Sequence, residues 1–320
     1  MRRLLVLVAL VFSLPARAVT IDQVPVGNPN NSADTPATNC YAANCGSVDH
    51  SYFISKYEVT NAQYAEFLNA VGSDGAIALA LFNASMHNNP NGGIVQSGVA
   101  GSFTYAAFPG FENKPVNFVS FYDALRFANW LHNGQGSGDT ETGAYTLLGG
   151  TAIPSNGLIV ARNPDATVFL PSENEWYKAA YYSPGGVYFD YPAGTDSVIE
   201  CAWMDSDTGN SANCSGASGA LTIVGVYGQS ESPYGTFDQG GNMIEWNEQI
   251  VFGSYRGLRG GDWFFDAGSL AASSPYYDGP AHENDRIGFR VASLVPEPGP
   301  GLLGMTAVLA LAATRRRRAN

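Results

Sequence analysis

Thirteen residues from Tyr234 to Trp246, reading YGTFDQGGNMIEW, constrain this chain more than any other stretch. Asp238 and Glu245 lie seven positions apart with Gly240 and Gly241 between them. The backbone there can turn sharply and aim its carbonyl oxygens at the point where the two carboxylates meet. An all-oxygen set of this kind suits a hard cation such as calcium. The run Met243-Ile244-Glu245-Trp246 then reads as the entry to a strand, with Trp246 as its anchor. The alternative is a glycine-rich hairpin carrying two solvated acids.

Composition sets the frame for this turn. The chain has 320 residues, is 45% hydrophobic and contains 37 Gly and 18 Pro against only 14% charged residues. It can therefore bury a large core in one domain, but with many turns and long connections instead of a helical bundle. The segment from Val19 to Glu297 carries 9 basic and 28 acidic residues, a net charge of −19. Such a surface repels nucleic acid and other polyanions, so no nucleic-acid partner is expected.

The ends read as sorting signals. Met1-Arg2-Arg3, the apolar run Leu4 to Leu14 and Ala16-Arg17-Ala18 predict a secretory signal peptide over residues 1–18. Val295-Pro296-Glu297-Pro298, the apolar run from Gly301 to Ala313 and the basic run Arg315 to Arg318 form a three-part tail over residues 295–320. This tail resembles the PEP-CTERM sorting signal. The resemblance implies transient anchoring in the inner membrane through a short transmembrane segment, 301–313, and processing by an exosortase. The protein would then pass to the cell envelope or extracellular matrix of a Gram-negative bacterium. The run falls short of the roughly twenty residues of a stable span, and a simple tail anchor is the alternative. Export accommodates the four cysteines as disulfides. Local pairing of Cys40 with Cys45 and of Cys201 with Cys214 is the simplest of the possible connectivities.

Between the ends, residues 19–50 show little periodicity and are expected to form an extended N-terminal arm stapled by the first cysteine pair. Ser51 to Val59 alternates as a strand. Thr60 with Gln63, Ser120 with Asp123 and Ser172 with Glu175 are helix-capping boxes, each followed by apolar residues at helical spacing. In the second helix Phe121, Leu125, Ala128 and Leu131 make the expected buried stripe. Residues 72–112 allow only short surface elements to be expected.

Six blocks occur in order: YEVTNAQY from Tyr57, PVNFVS from Pro115, LPSENEW from Leu170, Tyr234-Gly235 through Glu245-Trp246, LRGGDW from Leu258, and Ile287-Gly288-Phe289-Arg290. Together they closely resemble the formylglycine-generating enzyme family, also called sulfatase-modifying factor domains, over residues 51–292. The resemblance implies an α+β domain of variant C-type lectin-like fold, with few helices around small antiparallel sheets and much irregular chain. It also implies a calcium site in which Asp238, the carbonyls of Gly241 and Met243, and Glu245 are the ligands. A second family calcium site would begin at Asn213 and Cys214, but the Asp-Gly-Phe segment that completes it has no counterpart between Ser215 and Val224.

The activity departs from the family name. Members that generate formylglycine use two cysteines, the first a few residues after the Arg-Gly-Gly, and here that position holds Phe265. No cysteine follows Cys214. A phenyl ring supplies neither soft copper ligation nor thiol exchange, so neither copper nor iron is expected, and no catalytic residue is nominated. His282, Glu283 and Asp285 are an alternative metal grouping, or an exposed polar loop.

In the family, the segment corresponding to Asp262 to Ile287 borders the substrate groove. Phe265, Tyr276 and Tyr277 together with Asp278 and His282 would give that groove flat rings beside hydrogen-bonding groups, suited to a glycan or an extended peptide. Trp263 is expected in the core, and Arg259 and Arg290 are expected to pair with internal acids. The expectation is an exported, calcium-stabilised glycan- or protein-binding module. One alternative is a metal-dependent oxidoreductase acting on sulfur groups, and another is a structural matrix protein.

Overall fold

The computed structural model describes residues 18–35, 39–137 and 139–295. The predicted signal sequence up to Arg17 and the tail from Pro296 onward lie outside them. Among the described residues, four α-helices are set among small sheets. In chain order the elements are β1 (Gln23–Val26), β2 (Tyr52–Ser55), α1 (Asn61–Ala78), α2 (Ser85–Asn88), β3 (Ile94–Ser97), β4 (Thr104–Ala107), α3 (Phe121–His132), β5 (Val168–Phe169) and α4 (Glu173–Tyr181). They continue with β6 (Glu200–Cys201), β7 (Ser211–Ala212), β8 (Ile244–Val251), β9 (Tyr255–Arg259), β10 (Tyr276–Asp278), β11 (Ile287–Gly288) and β12 (Ala292–Leu294).

All three capping boxes are formed. Thr60, Ser120 and Ser172 each accept from the backbone three residues on, and Gln63, Asp123 and Glu175 each bond back to the cap residue. Two helices differ from the expected pattern. Helix α1 is interrupted at Gly72, whose φ of 76° no side-chain-bearing residue adopts cheaply. Helix α3 is buried on every side from Phe121 to Trp130, not along one stripe, because loops as well as sheets close around it. Its Phe127 lies among Tyr64, Phe67, Trp130 and Phe289, which form the aromatic centre of the core.

One four-stranded sheet has the order β1-β2-β12-β5, joining the first strand to the last. The segment expected to be an arm outside the domain therefore supplies an edge strand of it, with Val24 opposite Ile54. The strand expected over Ser51 to Val59 stops at Ser55, because the Lys56 amide bonds Asp22 and the Val59 amide bonds Phe289 outside the ladder. A second sheet, β10-β9-β8-β11, carries the site described below. Residues 72–112 hold the end of α1, α2 and the β3-β4 hairpin. Both local disulfides are present, Cys40 with Cys45 and Cys201 with Cys214, at Cα separations of 5.4 and 4.8 Å.

Candidate functional site

The glycine-rich turn folds as its composition requires. Asp238 and Asn242 adopt left-handed backbone, which Asp and Asn tolerate, with φ of 58° and 57°. At Gly241 a Cβ would lie 2.4 Å from the Asn213 carbonyl oxygen, so only glycine fits. Glu245 follows on β8 and is fully buried beside Arg290. The Arg290 guanidinium donates to Glu245 Oε1 and Oε2 at 2.7 Å each, and the Trp176 indole donates to Oε2 at 2.7 Å.

Glu58, from the segment after β2, joins this cluster by accepting from the Met243 amide and the Asn242 side chain, both at 3.2 Å. Burial, then the charges of Asp238 and Glu245, push the Glu58 carboxyl well above its ordinary range. Asp238 is pushed up to about 6 by burial, against the hydrogen bond from the Gly225 amide and the charge of Arg290. One guanidinium thus stands among three acids.

The turn keeps oxygen donors to spare. Asp238 Oδ2 takes the Gly225 amide at 2.5 Å, and no described donor reaches Oδ1. Outside the strand ladders, no described donor reaches the carbonyls of Gly241 or Met243. Glu245 accepts three hydrogen bonds and so retains about one of its four lone-pair sites. This set fits a hard cation in charge and chemistry.

The second sheet also floors an open cleft of about 320 Å³. Across its strands Tyr276 lies opposite Leu258, and Ile287 opposite Ile244, and all four line the cleft. Asp262 Oδ1 accepts the amides of Phe264 and Phe265 at 2.8 and 3.0 Å, a tight turn that brings Phe265 to the wall. The Phe265 and Tyr276 rings sit 5.5 Å apart. The Arg286 guanidinium lies 5.4 Å from the Phe265 ring centre and 3.8 Å from Asp262, whose carboxyl burial pushes up. Opposite them, His282 Nδ1 pairs with Asp278 Oδ2 at 2.5 Å.

Phe265, Tyr276, Asp278 and His282 thus line one cleft, whereas Tyr277 does not. Successive strand residues face opposite sides. The Tyr277 ring therefore packs edge-on against Tyr41, Phe252 and Tyr255 on the other face. Trp263 is half-buried instead of fully in the core, and its buried indole N–H has no described partner. Arg259 pairs with Glu173, both buried. The grouping of His282, Glu283 and Asp285 is split, since Glu283 bonds Asn83 and Asp285 bonds Asn91. Among the described residues, no three His, Cys, Asp or Glu side chains are placed to hold a metal together. Sequence reasoning missed Glu58 in the acidic cluster and Arg286 in the cleft. The signal for Arg286 was a lone base in an acid-rich segment, one residue before the Ile-Gly-Phe-Arg block.

The fold is α+β of the C-type lectin-like class, with few helices set among small sheets. Within that class the chain belongs to the sulfatase-modifying factor enzyme 1-like domain family, matched over residues 19–295. Treponema denticola variable protein 1 superposes with a TM-score of 0.53 at 19% identity, covering 88% of this chain and 98% of that one. The crystal structure of CarF gives 0.52 at 20% identity, covering 87% and 99%. These likenesses concern the fold. The chain is also 24% identical to the serine/threonine-protein kinase pkn1 of Chlamydia caviae over 267 residues, 76% of this chain. It spans about a third (33%) of that relative's length, and the same share of pkn1 from Chlamydia pneumoniae.

Proposed function

We propose that this chain is an exported binding module of the family, without formylglycine-generating activity, whose cleft receives a glycan or protein ligand at the cell envelope or matrix. The observation that carries the reading is Phe265. A ring packed between Tyr276 and Arg286 occupies the wall position where the resemblance requires a reactive sulfur, and every cysteine of the chain is held in a disulfide. Aromatic faces beside the His282–Asp278 pair and Arg286 offer stacking and hydrogen bonds.

Glycan and peptide arrays test the reading. Tyr276→Ala is expected to weaken capture about tenfold, the loss of roughly 1.4 kcal/mol. Tyr277→Ala, on the opposite face, should leave capture unchanged. Equal losses in the two variants would disconnect binding from the cleft. Stoichiometric copper or iron in the purified protein, together with oxygen uptake, would overturn the non-catalytic reading in favour of an oxidoreductase.

Calcium at the acidic turn belongs to the same proposal, held by Asp238, the Gly241 and Met243 carbonyls and the remaining site on Glu245. It would supply positive charge to an acid cluster that Arg290 alone leaves in excess. At a hundredfold excess over its dissociation constant, an ion bound only to the folded state adds about 2.7 kcal/mol. Chelation should therefore lower the unfolding temperature of the parent but not of Asp238→Ala. Identical melting of the parent with and without chelator would remove the ion from the proposal.

A further inference from the structure

A second cavity lies behind the loop that carries His282. It encloses about 150 Å³ between the end of α1 and the start of α3. Leu79, Ile153 and Ala281 contribute apolar walls, and Asp123 and Glu283 contribute the polar lining. Asp123 is only 2% exposed. Its Oδ2 accepts the Ser120 amide at 2.9 Å and hydroxyl at 2.7 Å, while no described donor reaches Oδ1. Glu283 bonds Asn83 through Oε2, and no described donor reaches Oε1. Tyr122 is likewise 2% exposed, and its ring lines the cavity while its hydroxyl end packs against Gly157. The nearby base Arg126 is already held by Glu141 and by the carbonyls of Thr151 and Ala152.

We propose that this cavity receives a primary ammonium group on an unbranched alkyl stem, the lysine side chain of a partner protein. Two open carboxylate oxygens, Asp123 Oδ1 and Glu283 Oε1, match the charge and N–H donors of an ammonium, and the apolar walls match its four-carbon stem. A space of about 150 Å³ holds a benzene-sized guest, which leaves little room for a sugar ring. The net charge of −19 over residues 19–297 favours a basic partner. Burial, then the charge of Glu283, pushes the Asp123 carboxyl up to about 7, and burial raises Glu283 as well. A cation entering the cavity therefore displaces protons, and its binding strengthens as pH rises toward the alkaline side of neutrality. The inference goes beyond the cleft and does not depend on what the cleft binds.

Calorimetric titration of the full-length chain with Nα-acetyl-lysine methylamide tests this, with its Nε-acetylated form and glucosamine as controls. Saturable binding is expected for the charged lysine probe, about tenfold weaker or worse for both controls. Glu283→Gln leaves the Ser120–Asp123 capping box intact and should weaken the lysine probe by the same factor, and so should Ala281→Leu, which narrows the cavity. No saturable heat, equal affinity for glucosamine, or unchanged binding in Glu283→Gln would overturn the proposal.

Discussion

Arg290→Met is expected to cost about 3–5 kcal/mol of folding stability, the range for removing one partner of a fully buried ion pair. Arg290 and Glu245 are both completely buried. The guanidinium also bonds the carbonyls of Ser55 and Phe237 at 2.9 and 2.8 Å, so it ties the end of β2 to the acidic turn. Methionine fills much of the volume but leaves Glu245 with the Trp176 indole alone, beside Glu58 and Asp238. Urea unfolding in the presence of chelator, which keeps any ion off Glu245, measures the loss. The double variant Arg290→Met with Glu245→Leu should recover a large part of it, because an apolar pair leaves no orphaned charge in place. A loss below about 1 kcal/mol in the single variant would mean that something other than Arg290 neutralises the turn.

Local features of this fold were legible in the chain because each needs only neighbours in sequence. A capping box is two side chains three positions apart, and Thr60, Ser120 and Ser172 each start a helix where the spacing says. Both disulfides close short loops, between residues 5 and 13 apart in sequence. Sheet membership was not legible. β12 comes to lie between β2 and β5, which are separated by more than a hundred residues, and no local pattern in two- to four-residue strands announces such partners.

The same limit divided the candidate site. The residues of the cleft and of the acidic turn could be nominated as a set, but Tyr276 and Tyr277 could not be told apart without knowing which face of β10 meets Phe265. Glu58 could not be placed against residues 242 and 243 before the two sheets were packed. Asp123 read only as a helix cap. Its second oxygen faces a cavity whose other wall is contributed by residues 281 and 283.

Glu175→Gln should lower stability at neutral pH by about 3 kcal/mol, the low end for a broken buried pair, because Arg162 keeps a second partner in Glu248. Glu175 is 2% exposed and binds His50 Nε2 and Arg162 Nη1 at 3.0 Å, Arg162 Nη2 at 2.6 Å and the Ser172 amide at 2.7 Å. Burial alone would raise this carboxyl, yet the Arg162 charge and the hydrogen bonds from His50, Arg162 and Ser172 hold it well below its ordinary range. A depressed carboxyl stabilises the fold fully above its unfolded pKa and loses that contribution as pH falls through the folded value. His50 runs the other way. Its hydrogen bond to Glu175, against burial and with the help of Asp49, raises the imidazole above its ordinary 6.5. That contribution is complete below the unfolded value and disappears as pH rises through the folded one. A plot of unfolding free energy against pH for the parent should therefore decline on both sides, toward strong acid and above the histidine range. Glu175→Gln shallows both limbs, the alkaline one only by the His50 share, because the raised carboxyls of Glu58, Asp238 and Asp123 also lose stability as pH rises. His50→Gln removes the same alkaline share and largely preserves the acid limb. An acid limb left intact in Glu175→Gln would assign the acid sensitivity to another carboxyl held below its ordinary range, Asp207, which accepts from the Ser230 hydroxyl and the amides of Gly209 and Gln229 against its burial.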